Sequence, residues 1–210
     1  MEQFNDLFGL TEEQTQGLIK AGTIAIREFG KRQVLMTLDD DMDGIGVMLT
    51  GTAFLESMNF DGQRRIVDYY EPRDIFMRKC FPVMENNLYY VISRSKCRVA
   101  FLNDRKLSAR HGAHGMRAKI LDYILTAAQR RALMHMDVLG QRTLRHKLMA
   151  YLGYLSRQKE SPSFELPFSF TDCADYLAVD RSAMMREIGR MKEEGILDTQ
   201  GARITLLRKG

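Results

Sequence analysis

Hydrophobic periodicity changes once along this chain, and the change commits its two halves to different kinds of structure. From Gln33 to about Leu102 the apolar residues come in short runs rich in β-branched and aromatic side chains. These runs are Val34-Leu35-Met36, Gly46-Val47-Met48-Leu49, Ala53-Phe54-Leu55, Arg65-Ile66-Val67-Asp68-Tyr69-Tyr70, Leu88-Tyr89-Tyr90-Val91-Ile92 and Cys97-Arg98-Val99-Ala100-Phe101. Short runs of this composition predict strands. Turn chemistry separates them at Asp39-Asp40-Asp41, Thr50-Gly51, Asp61-Gly62 and Pro72-Arg73-Asp74. Asp61-Gly62 predicts a hairpin with a primed turn, because glycine supplies the positive φ such a turn requires. Six strands at regular spacing predict a small antiparallel barrel or sandwich. Thr11 before Glu12 and Glu13 sets an N-cap and acid at the start of a short helix, to about Ala21, that packs against it.

Beyond Met116 the period is helical. Met116, Ile120, Tyr123, Ile124, Ala127 and Met134 form one stripe, with Arg117, Lys119, Arg130 and Arg131 off it. The pattern predicts a helix of roughly 20 residues, about 30 Å long. No second long helix lies nearby in sequence to cover that stripe, so self-association through it is expected. Gly140-Gln141-Arg142-Thr143 interrupts the pattern, and Leu144, Leu148, Tyr151, Leu152 and Leu155 predict a second amphipathic helix.

Composition narrows the functional classes. The 210 residues are 45% hydrophobic and 28% charged, which suits one large or two small folded domains and excludes both disorder and a disulfide miniprotein. No apolar run approaches the roughly 18 residues of a membrane helix, and the acidic start Met1-Glu2-Gln3-Phe4-Asn5-Asp6 lacks a basic n-region. A cytoplasmic location without a membrane partner is therefore expected. Cys80, Cys97 and Cys173 are far apart and in no C-x-x-C pattern, which favours reduced thiols. Charge is segregated: residues 1–105 carry 13 Lys+Arg against 16 Asp+Glu, or −3, and residues 106–210 carry 18 against 11, or +7. A basic C-terminal half fits an anion-binding module, with nucleic acid the commonest such anion.

The most informative residues lie in that basic half. Ser169-x-x-Asp172 resembles a capping box and opens a short helix through Leu177. Ala178 and Val179 then lead to Asp180, an N-cap, and to a second helix beginning Arg181-Ser182-Ala183-Met184-Met185-Arg186. Two short helices around a tight turn predict a helix-turn-helix. Met184, Ile188 and Met191 make its buried stripe, which leaves Arg181, Ser182, Met185, Arg186, Gly189 and Arg190 outward. An arginine on such a face can give two parallel hydrogen bonds to guanine in a major groove. Gly195 to Leu206 then reads as strand, tight turn, strand: a wing whose Arg203 and backbone amides suit phosphate.

With these residues in view, the chain resembles the Crp/Fnr regulators of bacterial transcription. The resemblance covers most of the sequence: the strand region with Gly51 and Asp61-Gly62, the turn Pro72-Arg73-Asp74-Ile75-Phe76, the long helix, and Met191-Lys192-Glu193-Glu194-Gly195-Ile196. Its most specific stretch is Asp172-x-x-Asp175-Tyr176-Leu177-x-Val179-Asp180-Arg181-Ser182-x-x-x-Arg186. The resemblance implies an α+β fold. An N-terminal double-stranded β-helix (β-roll) sensing an effector would span 1–110, a dimerisation helix 111–139, and a winged helix-turn-helix for DNA 140–210. It implies a homodimer on a palindromic double-stranded operator, RNA polymerase as a further partner, and base contacts at Arg181, Ser182 and Arg186. Ser182 stands where glutamate is frequent, and Ala178 where a turn glycine is common; a positive φ at Ala178 would carry strain on the order of 1 kcal/mol.

The sensor half departs from the family's cyclic-nucleotide binders. Where those carry Gly-Glu and then Arg-Ser, this chain has Met77-Arg78 and Asn87-Leu88, so tight cyclic AMP binding is not expected. Residues 1–79 hold no cysteine, which closes the iron–sulfur option. His111, His114 and Cys80 are thin haem candidates without evident carboxylate partners, and no cofactor is expected. Cys80 beside Arg78 and Lys79 would be a redox sensor if its thiol pKa were lowered, and otherwise an idle thiol. Met77, Arg78, Tyr89 and Tyr123 are the candidate effector-pocket residues. Phe76, Phe81, Tyr89 and Tyr90 suit either an apolar pocket or a core. No Gly-rich phosphate loop, G-x-S-x-G or H-E-x-x-H pattern is present, so an enzyme is not expected. The rival expectation is a ligand- or redox-sensing module whose winged helix binds protein.

Overall fold

The alternating segment folds into β1 (Ile24–Phe29), β2 (Val34–Thr37), β3 (Gly44–Thr50), β4 (Ala53–Asn59), β5 (Arg64–Tyr70), β6 (Ile75–Met77), β7 (Asn87–Ser93) and β8 (Cys97–Asn103). The computed structural model describes residues 1–37, 44–80, 87–109 and 114–207, so the Asp39-Asp40-Asp41 turn, Phe81 and His111 lie outside the described residues. All six expected strands are present. β1 and β6 are additional; both are too short or too charged to stand out by alternation alone.

Two four-stranded antiparallel sheets result, in the orders β1-β8-β3-β6 and β2-β7-β4-β5. Between them lie Leu35, Met36, Met48, Leu55, Tyr70, Phe76, Tyr89, Val91, Val99 and Phe101, drawn from both sheets. The hairpin at Asp61-Gly62 forms, though not with a primed two-residue turn. The Gly62 amide bonds the Asn59 carbonyl at 3.0 Å, and the Asn59 amide bonds the Gln63 carbonyl at 3.2 Å. Gly62 alone takes a left-handed φ of 74°, while Phe60 and Asp61 are spared one. This longer loop keeps a side-chain-bearing pair out of the costly region.

The first sheet is covered on its other face too. α1 (Glu2–Phe8), α2 (Glu12–Lys20), α3 (Asp104–Ala109) and α4 (His114–Tyr123) belong to the same part of the chain. Phe4, Phe8, Leu107, Met116 and Ile120 pack with Ile24, Ile45, Val47, Ile75 and Leu102 of the sheet. Burial from both sides explains why β3 reads as a continuous apolar run rather than as an alternation. α2 starts where expected: Thr11 and Gln14 form a reciprocal capping box.

The helical stripe from Met116 onward requires a correction. Met116 and Ile120 are buried, and Tyr123 and Ile124 are packed, in the helix–sheet core; these residues have an intrachain partner and are not available for self-association. The backbone then makes a π-helical stretch, Ile124–Ala128, before α5 (Gln129–Gly140). Arg131, expected off the apolar stripe, is buried. The apolar side chains left outward are others: Leu121 and Leu125 before the boundary at Ala128, and Leu133, Met136 and Leu139 after it.

Residues Met1–Ala128 form one compact unit and Gln129–Gly210 the other. The second contains α5, α6 (Leu144–Gln158), β9 (Ser163–Glu165), α7 (Phe170–Tyr176), α8 (Arg181–Glu193), β10 (Leu197–Gln200) and β11 (Arg203–Leu206). α6 begins at an N-cap, Thr143, and buries Leu148, Tyr151, Leu152 and Leu155 as its pattern demands. The Tyr176 ring lies 5.4 Å from that of Tyr151 and 5.5 Å from that of Phe168. His135 of α5 stacks on Tyr176 at 3.9 Å, with Nε2 2.8 Å from the Tyr176 carbonyl oxygen. The wing strands pair as expected, and β9 adds a third strand in the order β10-β11-β9.

Candidate nucleic-acid interface

Capping places α7 and α8. Ser169 accepts the Asp172 amide at 3.2 Å, and its hydroxyl donates to Asp172 Oδ2 at 2.7 Å. After α7 the Val179 amide bonds the Ala174 carbonyl at 3.0 Å, and Ala178 takes a φ of 52°. A methyl group therefore sits in a left-handed turn where glycine would be unstrained, at a cost of about 1 kcal/mol. Asp180 accepts the Ala183 amide at 2.7 Å and opens α8. At the far end the Gly195 amide bonds the Lys192 carbonyl and the Ile196 amide bonds the Met191 carbonyl, both at 2.9 Å. This paired closure stops the helix and turns the chain into the wing.

α8 is two-sided. Met184, Ile188 and Met191 are buried, while Arg181, Ser182, Met185, Arg186 and Arg190 are exposed. Arg181 and Arg186 engage no other side chain among the described residues. Arg190 differs: its Nη1 lies 3.3 Å from Glu187 Oε2, although the side chain is 66% exposed. Arg203, at the start of β11, pairs with Glu165 of β9 at 3.3 Å, both exposed. The wing is tied to α8 by Lys192, whose Nζ lies 3.1 Å from Asp198 Oδ1 and 3.2 Å from Thr199 Oγ1. The Thr199 amide, then Lys192, hold the Asp198 carboxyl below the usual range.

Two features of this surface were not legible by periodicity. β9 is a three-residue strand with no alternation to speak of. Arg145, on α6, donates from Nε to Glu187 Oε1 at 2.5 Å and from both terminal nitrogens to the two Glu194 oxygens at 2.7 Å. Nothing local marks it, since its partners are 42 and 49 residues away.

The candidate effector residues are not gathered into one pocket. Tyr89 is buried between the sheets, whereas Met77 and Tyr123 pack in the helix–sheet core; Tyr123 donates to Asp74 Oδ1 at 2.5 Å. Arg78 is half-buried in a short 3-10 turn, Arg78–Cys80. A separate cavity of about 180 Å³ opens at one end of the sandwich, lined by Arg27, Phe29, Leu35, Met36, Thr37 and Phe101. Cys80 is exposed, and desolvation pushes its thiol up rather than down, the opposite of the lowering a redox sensor would need. Cys173 is buried, and desolvation with the nearby Asp172 charge pushes its thiol to about 12. Among the described residues no group of three or more His, Cys, Asp or Glu side chains is disposed to hold a metal, and no helix is long and apolar enough to cross a membrane.

Residues 146–209 match the family model of the Crp-like helix-turn-helix domain. The chain is 25% identical over 191 residues to the transcriptional activator protein FnrL of Cereibacter sphaeroides, covering 84% of this chain and 74% of that protein. It is 25% identical over 155 residues to the nitrogen fixation regulation protein FixK of Rhizobium meliloti, covering 73% and 69% respectively. The structure of FixK2 from Bradyrhizobium japonicum superposes with a TM-score of 0.70 at 21% identity, over 88% of this chain and 93% of that one. A CooA mutant from Carboxydothermus hydrogenoformans superposes with a TM-score of 0.73 at 15% identity, over 91% and 86%. Residues 146–209 thus carry a Crp-like helix-turn-helix domain, and the chain as a whole is similar in sequence and fold to transcription regulators of the Crp/Fnr type.

Proposed function

We propose that the chain acts as a homodimer that binds a palindromic operator through α8 and the wing, under control of a small effector other than cyclic AMP. The observation that carries this reading is the exposed face of α8, where Arg181 and Arg186 engage no other side chain among the described residues and Ser182 and Met185 lie beside them. Arg181, Ser182 and Arg186 meet base edges, Met185 suits a thymine methyl, and Arg190 and Arg203 face the backbone. Two such helices about 34 Å apart would enter successive major grooves. Self-association uses Leu133, Met136 and Leu139 of α5, all exposed and apolar.

Absence of a ribose-binding carboxylate at Met77-Arg78 supports the exclusion of cyclic AMP, as does Arg94, whose guanidinium lies over the Phe54 ring at 4.9 Å rather than standing ready for a phosphate. Effector binding would act by favouring one dimer state over another. RNA polymerase is a further partner on this reading. Selection of bound duplexes from a random pool, followed by affinity measurement across salt concentrations, tests it. A palindromic consensus and an affinity falling steeply with salt are expected; equal weak binding to all duplexes would instead favour a winged helix that recognises protein.

A further inference from the structure

We propose that Arg145 of α6 is a positioning residue for DNA recognition: it fixes the rotation of α8 and, through Glu187, aims Arg190. This rests on the reading of α8 as the groove-facing helix. Arg145 turns all three of its guanidinium nitrogens to that helix and its C-cap, with one bond to Glu187 at 2.5 Å and a bidentate pair to Glu194 at 2.7 Å. Its two partners are seven positions apart, two turns along one face. A single guanidinium on a neighbouring helix therefore grips α8 at its middle and at its C-terminal end, which opposes both rotation and sliding. The carboxylates in turn raise the Arg145 pKa, Glu194 most and then Glu187, so the guanidinium keeps its charge at every working pH.

Glu187 links the clamp to the outer face. Its side chain is only 12% exposed, and its two oxygens are divided: Oε1 accepts from Arg145, Oε2 lies 3.3 Å from Arg190 Nη1. With one oxygen pinned the other cannot wander, and the exposed Arg190 inherits a fixed direction. Exposed ion pairs contribute little to stability on their own, whereas a forked arginine on a half-buried carboxylate adds geometry as well as energy. That geometry matters because a helix surface about 5 Å from its axis moves by about 1 Å for a rotation of about 10°, enough to spoil paired hydrogen bonds to a base.

The test compares affinity for the selected duplex with affinity for a scrambled one, in the wild type, Arg145→Ala, Arg145→Lys, Glu187→Gln and the Arg145→Ala/Glu187→Gln double variant, with circular dichroism as a control on folding. Arg145→Ala is expected to lower the preference for the selected duplex about 10-fold while changing scrambled-duplex affinity less than about 3-fold. Arg145→Lys, which keeps the charge but not the fork, is expected to fall between, and the double variant to be no worse than Arg145→Ala. Unchanged preference in Arg145→Ala and Arg145→Lys, or an equal loss on both duplexes with loss of helix content in both, overturns the positioning role alone. A wild type without any preferred duplex overturns the reading of α8 as well.

Discussion

The β-sandwich and the winged helix use charge and burial in opposite ways. In the sandwich the aromatic and β-branched residues go inward on both faces of the first sheet, so Phe76, Phe101 and Val47 are all core and none announces a ligand. In the winged helix a thin apolar stripe suffices for folding, and the opposite face of α8 keeps Arg181 and Arg186 without a side-chain partner among the described residues. Surface that folding does not consume is where function becomes visible; in a two-faced sheet little such surface is left.

Breaking each core tests this contrast most strongly. Phe54→Ala in the sandwich is expected to cost about 3–5 kcal/mol, and Met184→Ala in α8 about 2–5 kcal/mol, both read by denaturant unfolding. Comparable losses are expected despite the smaller apolar stripe, because both side chains are wholly buried. Next come the solvent-facing residues: Arg181→Ala or Arg186→Ala should leave unfolding unchanged and cost about 1–3 kcal/mol of discrimination at one base pair per half-site, measured by fluorescence anisotropy on matched and altered duplexes. A loss of stability instead would mean that this face is structural.

Each unit also holds two non-glycine residues at positive φ, among them Arg73 at φ 80° in the sandwich and Ala178 at φ 52° in the helix-turn-helix. Arg73→Gly and Ala178→Gly are each expected to stabilise by about 1 kcal/mol before the extra unfolded-chain entropy of glycine is subtracted, so a small net gain is predicted in thermal melts. Arg203→Ala should weaken all duplexes alike and reduce the salt dependence by about one counterion, an effect moderated by its pairing with Glu165. The smallest effects come from titration. The Asp198 pKa is lowered in the folded state, so its contribution to the wing is complete above the ordinary aspartate pKa and is lost only as pH falls through the depressed value. Cys173 runs the other way: with its thiol raised to about 12, its contribution is complete below the ordinary thiol pKa and declines as pH rises toward 12. Unfolding midpoints across acid and alkaline pH check both signs.

Local physics made much of the molecule readable in advance. Strand runs, the Thr11 and Asp180 caps, the break before Leu144 and the inward Met184, Ile188 and Met191 follow from side-chain period and from hydrogen bonds three or four residues away. The left-handed turn at Ala178 is different: only the resemblance, which has a glycine at that position, points to it, and the observed φ is 52°. Legibility fails where one side chain has two physically acceptable roles. Met116 and Ile120 make a helical stripe equally suited to a partner chain or to a sheet, and only the fold shows the sheet taking them.

What the amino-acid order alone determined, then, is the kind of each element and which face of α8 is oily, since those depend on neighbours within a turn or two. The fold alone decided the partners: Arg145 with Glu187 across 42 residues, Arg203 with Glu165 across 38, Tyr123 with Asp74 across 49. Electrostatic and packing energies depend on distance in space, and separation along the chain does not report that distance until the intervening elements have closed.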